Sequence, residues 1–129
     1  MPRKITRKGV VRKLDKLVSE IVIKRDGRCI VCGSTKNLTC GHLFSRIAYS
    51  TRWELGKNIV GYLWPSNCYA QCLSCNLRHE YDPYPMMSKV IGTYGQKLVD
   101  DLHREYVTPR KFKTYELVEL YEKLSKNIE

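Results

Sequence analysis

Cys29-Ile30-Val31-Cys32-Gly33, then Gly41-His42, then Cys72-Leu73-Ser74-Cys75-Asn76 are the stretches that decide how this chain folds. The two Cys-x-x-Cys pairs, separated by 39 residues, offer four thiolates. That is the ligand set of a structural zinc site, tetrahedral with Zn–S about 2.3 Å. Gly33 suits the tight turn of a zinc knuckle, which needs a permissive backbone. The gap exceeds that of a common zinc finger, so a substantial segment lies between the knuckles. The alternative set Cys29, Cys32, Cys40 and His42 would consume the histidine and strand the second pair. Cys40 and Cys68 then read as ordinary buried thiols.

Composition agrees with a metal site. The chain has 129 residues, enough for one domain with a modest core, and six cysteines. No apolar run approaches the roughly 20 residues of a membrane span. The N-terminus is basic but lacks the apolar segment of a secretory signal. A cytoplasmic location is expected, where thiols stay reduced and cysteines hold metal. The net charge is +10, and residues 1–28 alone carry ten Lys/Arg against three Asp/Glu. Such a block is the electrostatic footprint of a polyanion partner, most often nucleic acid. The plainer alternative is a basic tail kept for solubility.

Working outward, residues 1–9 read as a basic arm ended by Gly9. From Val10 the apolar positions Leu14, Leu17, Val18, Ile21 and Val22 recur at helical spacing, giving a helix that stops near Asp26-Gly27. Leu38 to Phe44 reads as a strand and residues 45–71 as irregular, with a turn at Trp64-Pro65-Ser66-Asn67. The second knuckle opens a helix that Asp82-Pro83-Tyr84-Pro85 ends. Met86 to Tyr106 reads as helical, weakened by Gly92 and Gly95. Residues 107–113 form a linker. Thr114 is the expected N-cap of a last helix whose stripe is Leu117, Val118, Leu120, Tyr121 and Leu124. The domain reading is an arm over 1–9, the zinc-bound unit over 10–106, and a linker with a C-terminal helix over 107–129.

The chemistry lies between the knuckles. Phosphodiester hydrolysis needs a base that titrates near neutrality and a cation at the departing oxygen. His42 offers the base. Asn76, directly after the last zinc ligand, offers an oxygen to Mg²⁺ or Mn²⁺, hard cations that also keep waters and take phosphate oxygens. His79 and Glu80 follow Asn76 by one helical turn and are further candidates for that cation, with a solvated helix face as the alternative. Arg46 and Arg52 are candidate phosphate contacts, as are Arg3, Lys4, Arg7, Lys8, Arg12 and Lys13 near the N-terminus. Trp53 and Trp64 could stack on bases, with core packing the favoured role for Trp53.

The order knuckle, Gly-His, Asn, knuckle-Asn resembles HNH nucleases of the endonuclease VII type, and more closely the phage lambda NinG (Rap) recombination-nuclease family. The resemblance rests on Leu14 to Ser19, Lys24 to Gly33, Cys40-Gly41-His42-Leu43-Phe44-Ser45-Arg46, Thr51-Arg52-Trp53-Glu54, Asn67 to Asn76, and Val90 to Leu102. It covers roughly residues 14–105.

The resemblance implies an α+β chain with a small zinc-stapled ββα-metal (His-Me finger) centre flanked by α-helices. It also implies a Mg²⁺-dependent DNA endonuclease acting on branched DNA in recombination, such as Holliday junctions or flaps. By that likeness His42 is the general base, Asn67 braces it, Asn76 is a metal ligand, and a homodimer would suit cutting two strands. Two departures stand out. Many HNH enzymes carry Asp before the base, where this chain has Gly41. Residues 56–66 look like an insertion, which leaves Asn58 and Asn67 as candidates for the middle position, Asn67 preferred for its distance to Cys72. A restriction or homing-type HNH nuclease, and a non-catalytic zinc module that binds DNA or RNA, are the alternatives.

Overall fold

Thr6 starts the first helix, its hydroxyl accepting a hydrogen bond from the Gly9 N–H at 3.0 Å. The computed structural model describes residues 6–46, 48–53, 65–108 and 111–126. Helix α1 spans Arg7–Asp26 and ends at Gly27, whose left-handed φ of 68° lets its N–H reach the Ile23 carbonyl. It begins earlier than the apolar periodicity predicts. Gly9 does not break it but sits in the first turn, where a Cβ would fall 2.9 Å from Thr6 Oγ1. Arg7 and Lys8 are therefore helical and not part of an arm. Arg3, Lys4, Asn58 and Trp64 lie outside the described residues.

Strands β1 (Leu38–His42) and β2 (Cys68–Cys72) form an antiparallel hairpin in which Cys40 faces Ala70, Gly41 faces Tyr69 and His42 faces Cys68. β1 ends at His42, short of the expected Phe44, because the side chain of Asn67 takes the Phe44 N–H and C=O in place of a neighbouring strand. β2 falls in a segment expected to be irregular. Four of its five residues are buried, so it shows no polar–apolar alternation to read.

Alternation sorts the hairpin side chains onto two faces. Cys40, Cys68 and Ala70 pack toward α1 in a core with Val10, Leu14, Leu17, Val18, Val22, Trp53, Phe112, Leu117 and Leu124. Tyr69 packs the other way, with Leu43, Met86, Val90, Leu98, Val99 and Leu102.

Short α2 (Tyr49–Arg52) precedes β2, and α3 (Leu73–His79) leaves directly from its end. Helices α4 (Tyr84–Tyr94) and α5 (Gln96–Val107) part at Gly95, at φ 97°, one of the two glycines that weaken this stretch in the sequence. Helix α6 (Thr114–Lys126) lies against α1, so the C-terminal helix completes the first core. Thr114 is its first residue and not its cap, with its hydroxyl facing Arg7 at 3.4 Å while Glu116 accepts from the Lys113 N–H. Among the described residues no helix is long and apolar enough to cross a membrane.

Candidate metal centre and active site

The two knuckles meet. The Sγ atoms of Cys29, Cys32, Cys72 and Cys75 lie within 4.8 Å of one another. Cys32 Sγ and Cys72 Sγ are 3.7 Å apart. Tetrahedral thiolates at about 2.3 Å from zinc would be about 3.8 Å apart, so the cluster already has the size of the metal site. The first knuckle is shaped by the Gly33 N–H bonding to the Cys29 carbonyl at 2.9 Å, with Gly33 at φ 77°.

Burial opposes ionisation of Cys29, but the backbone N–H groups of Cys32, Cys72 and Val31 prevail and hold its thiol down at about 7. Burial pushes the Cys75 thiol up, reinforced by hydrogen bonds with Cys72, Cys29 and Cys32. Four adjacent thiols cannot all ionise without a cation among them, and a metal here would displace protons as it binds. The knuckles are tied to the hairpin as well, through the Ile30 N–H to the Ala70 carbonyl at 2.9 Å and the Leu73 N–H to the Asn37 carbonyl at 3.1 Å.

His42 ends β1 on the face turned toward α1. Its pocket is lined by Asp15, Lys16, Ser19, Cys40, Arg46 and Trp53. Burial pushes the imidazole down to about 4, with Asp15 raising it and Arg52 and Arg46 lowering it further. His42 is thus neutral near pH 7 and able to accept a proton, but it titrates well below the near-neutral range expected of the base. Asp15, which sequence reading did not single out, organises this side. It accepts from Trp53 Nε1 and Arg52 Nε, each at 2.9 Å, and pairs again with the Arg52 Nη2. The Arg52 guanidinium also lies 4.9 Å from the Trp53 ring centroid. Its side chain is only 13% exposed, so Arg52 is committed to the fold, while Arg46 is exposed beside the histidine. Trp53 is fully buried, as expected of a core residue.

The loop after His42 is clamped. Asn67, itself fully buried, accepts from the Phe44 N–H at 2.9 Å and donates to the Phe44 and Thr51 carbonyls, both at 3.1 Å. The Phe44 ring stacks on Tyr106 at 5.4 Å.

On the opposite face, Asn76 donates to Thr39 Oγ1 at 2.9 Å, and Thr39 in turn donates to the Gln71 carbonyl at 2.8 Å. One turn further along α3, His79 Nε2 lies 2.9 Å from the Leu43 carbonyl, a contact that needs the proton on Nε2. His42, Arg46, Asn76, His79 and Glu80 line a single cleft of about 600 Å³ at the end of β1. His42 reaches it from the end of β1 and Asn76 from α3.

Gly41 is buried, and a Cβ there would fall 2.7 Å from Gln71 Cδ and closer still to its Oε1. The Gln71 side chain thus fills the room that an aspartate at residue 41 would need. Gln71 is fully buried, and neither end of its amide has a partner among the described residues. An unpaired amide in the interior costs about 1–3 kcal/mol.

Two further groupings escaped the sequence reading. Cys40, His42 and Cys68 bring their ligand atoms within 4.8 Å, so the two thiols taken as ordinary share a metal-capable cluster with the histidine. The signal was present in the i, i+2 spacing of Cys40 and His42, but it needed β2 to supply Cys68 opposite His42. Second, Lys16 of α1 is exposed and lines the His42 pocket, as Arg7, Lys8, Arg12 and Lys13 do not. Among the described residues, His79 and Glu80 belong to no cluster of three such ligands. Comparison with protein-family models, with curated proteins and with solved structures finds no match to this chain.

Proposed function

We propose that this protein is a divalent-cation-dependent DNA endonuclease of the HNH type, acting on branched DNA in recombination. One observation carries the reading: His42, Arg46, Asn76, His79 and Glu80, far apart in sequence, line one cleft at the end of the zinc-stapled hairpin. The succession β1–β2–α3 and the clamp of Asn67 on the loop after His42 support it, as does the sequence resemblance.

In this reading the neutral imidazole of His42 takes a proton from water. The oxygen–phosphorus bond forms as the bond to the 3′ oxygen breaks, and solvent returns a proton to that oxygen. Arg46 and Lys16 hold phosphates in place. A bound Mg²⁺ or Mn²⁺ would supply charge to the phosphate and the departing oxygen. Asn76 is suited to it by an Oδ1 that has no protein partner among the described residues, and His79 by its Nδ1. The test is incubation of pure protein with four-way junction, flap and linear duplex DNA, in Mg²⁺ or Mn²⁺ against EDTA. Cleavage of branched substrates that His42→Ala abolishes, with zinc content and DNA affinity kept, supports the reading. No cleavage of any substrate removes it.

The Cys40, His42 and Cys68 cluster favours a second reading, a nucleic-acid-binding module holding two metal ions without catalysis. Two zinc ions per chain, falling to one in His42→Ala, would establish it. One zinc per chain, unchanged in that variant, would exclude it.

A further inference from the structure

We infer that Gln71 is a ligand for the cleft's divalent cation, in the place that a carboxylate at residue 41 would hold. This deepens the nuclease reading and rests on it for the purpose of the cation. Three buried side-chain atoms have no partner among the described residues: Gln71 Oε1, Gln71 Nε2 and His79 Nδ1. Both side chains line one small slot, beside Cys75, Arg78 and Asp82, and His79 alone of the two also borders the cleft.

The chemistry of these atoms is that of a cation site. With Nε2–H directed at the Leu43 carbonyl, the neutral ring of His79 carries its lone pair on Nδ1. An imidazole whose other nitrogen is anchored to a backbone carbonyl is a poised metal ligand. Gln71 Oε1 is a hard oxygen donor. Asn76, three residues before His79 on α3, is turned by Thr39 so that its Nδ2 is engaged and its Oδ1 is not. Two amide oxygens and an imidazole nitrogen suit Mn²⁺ best and Mg²⁺ next, and suit a thiolate-seeking metal poorly.

Gly41 follows from the same arrangement. A side chain there would meet the Gln71 amide where it now lies, so a carboxylate at residue 41 enters only if that amide moves aside.

The experiment is a titration of the zinc-loaded full chain with Mn²⁺, free Mn²⁺ being read by electron paramagnetic resonance. Gln71→Ala should weaken Mn²⁺ binding at least tenfold. Gly41→Asp combined with Gln71→Ala, which gives the new carboxylate its room, should recover it. Gln71→Glu keeps the side-chain size and should tighten binding at least tenfold, so the inference stays testable if the alanine variants fold poorly. Wild-type Mn²⁺ affinity in Gln71→Ala or in Gln71→Glu overturns it, as does a wild-type chain that binds no Mn²⁺. Mn²⁺ held through Gln71 without cleavage of any DNA would remove the nuclease reading and leave this site standing. Cleavage with Mn²⁺ affinity indifferent to residue 71 would do the reverse.

Discussion

Asn67 grips Phe44 by both sides of its peptide: Oδ1 accepts from the Phe44 N–H at 2.9 Å and Nδ2 donates to the Phe44 carbonyl at 3.1 Å. The clamp sits two residues beyond His42, and a third bond carries it to the Thr51 carbonyl. Strand β1 therefore passes into a loop whose backbone is as constrained as a ladder. Asn67→Ala would leave these backbone groups buried and unpaired, at a cost of about 2–4 kcal/mol. Asn67→Asp should fare little better, since it sets a carboxylate against two carbonyls. The expected outcome is a lower urea midpoint with zinc content unchanged, together with a drop in cleavage rate that exceeds any loss of DNA affinity. A rate that follows affinity alone would show that the clamp does not position His42.

The burial of His42 makes a prediction about pH. Its imidazole is held at about 4 in the fold against an ordinary 6.5. As pH falls below 6.5 the unfolded chain takes the proton first, so stability is full above that value and is lost progressively down to about pH 4. The loss attributable to this one group is roughly 3 kcal/mol. His42→Gln should flatten that part of the stability profile, while the contribution of the carboxylates remains common to both proteins. Equal slopes in the two proteins between pH 6.5 and 4 would show that the ring is not held neutral by burial. In cleavage, the acidic limb of kcat/KM should lie near about pH 4 to 5, well below the usual histidine range.

The elements that sequence reading found are those whose signal is local. The knuckles are written as Cys-x-x-Cys, α1 and α6 as apolar stripes at helical spacing, and the break at Gly95 as a glycine within an apolar run. What it missed depends on pairing. Cys68–Cys72 is covered on both faces, so nothing alternates in it, and without β2 there was no way to see Cys68 opposite His42 or Gln71 above Gly41. Asp15 was hidden for a similar reason: on a helix face it reads as solvated, and only the fold shows it joining Arg52 and Trp53. The glycine at residue 41 was visible in sequence, but the glutamine of the neighbouring strand that lies where its side chain would be was not.

Zinc removal is the sharpest test of the staple. The cluster joins the end of α1, the segment before β1 and the β2–α3 junction. Cys75→Ser should lower zinc to well below one ion per chain and unfold the hairpin. Chelation of the wild-type chain should do the same reversibly. Zinc retained in Cys75→Ser, or a metal-free chain with unchanged circular dichroism and melting, would count against a structural four-cysteine site.

The basic surface divides into two parts that can be removed separately. Deletion through residue 13 would cut away Val10, which is only 3% exposed in the α1 core, and so would confuse binding with folding. Deletion of residues 1–5 keeps the Thr6 cap and removes Arg3 and Lys4. Lys8→Gln with Arg12→Gln removes two exposed charges from α1 and leaves its apolar stripe intact. Each phosphate that is no longer neutralised should reduce the slope of log affinity against log salt by about 0.9 on duplex DNA. The deletion and the double substitution should therefore each flatten the slope by up to roughly 2, with affinity falling alike for all sequences. Anisotropy titrations from about 50 to 200 mM salt would read this. A slope unchanged in both variants would place DNA binding on Lys16 and Arg46 beside His42 and leave the N-terminal charges as a solvated surface.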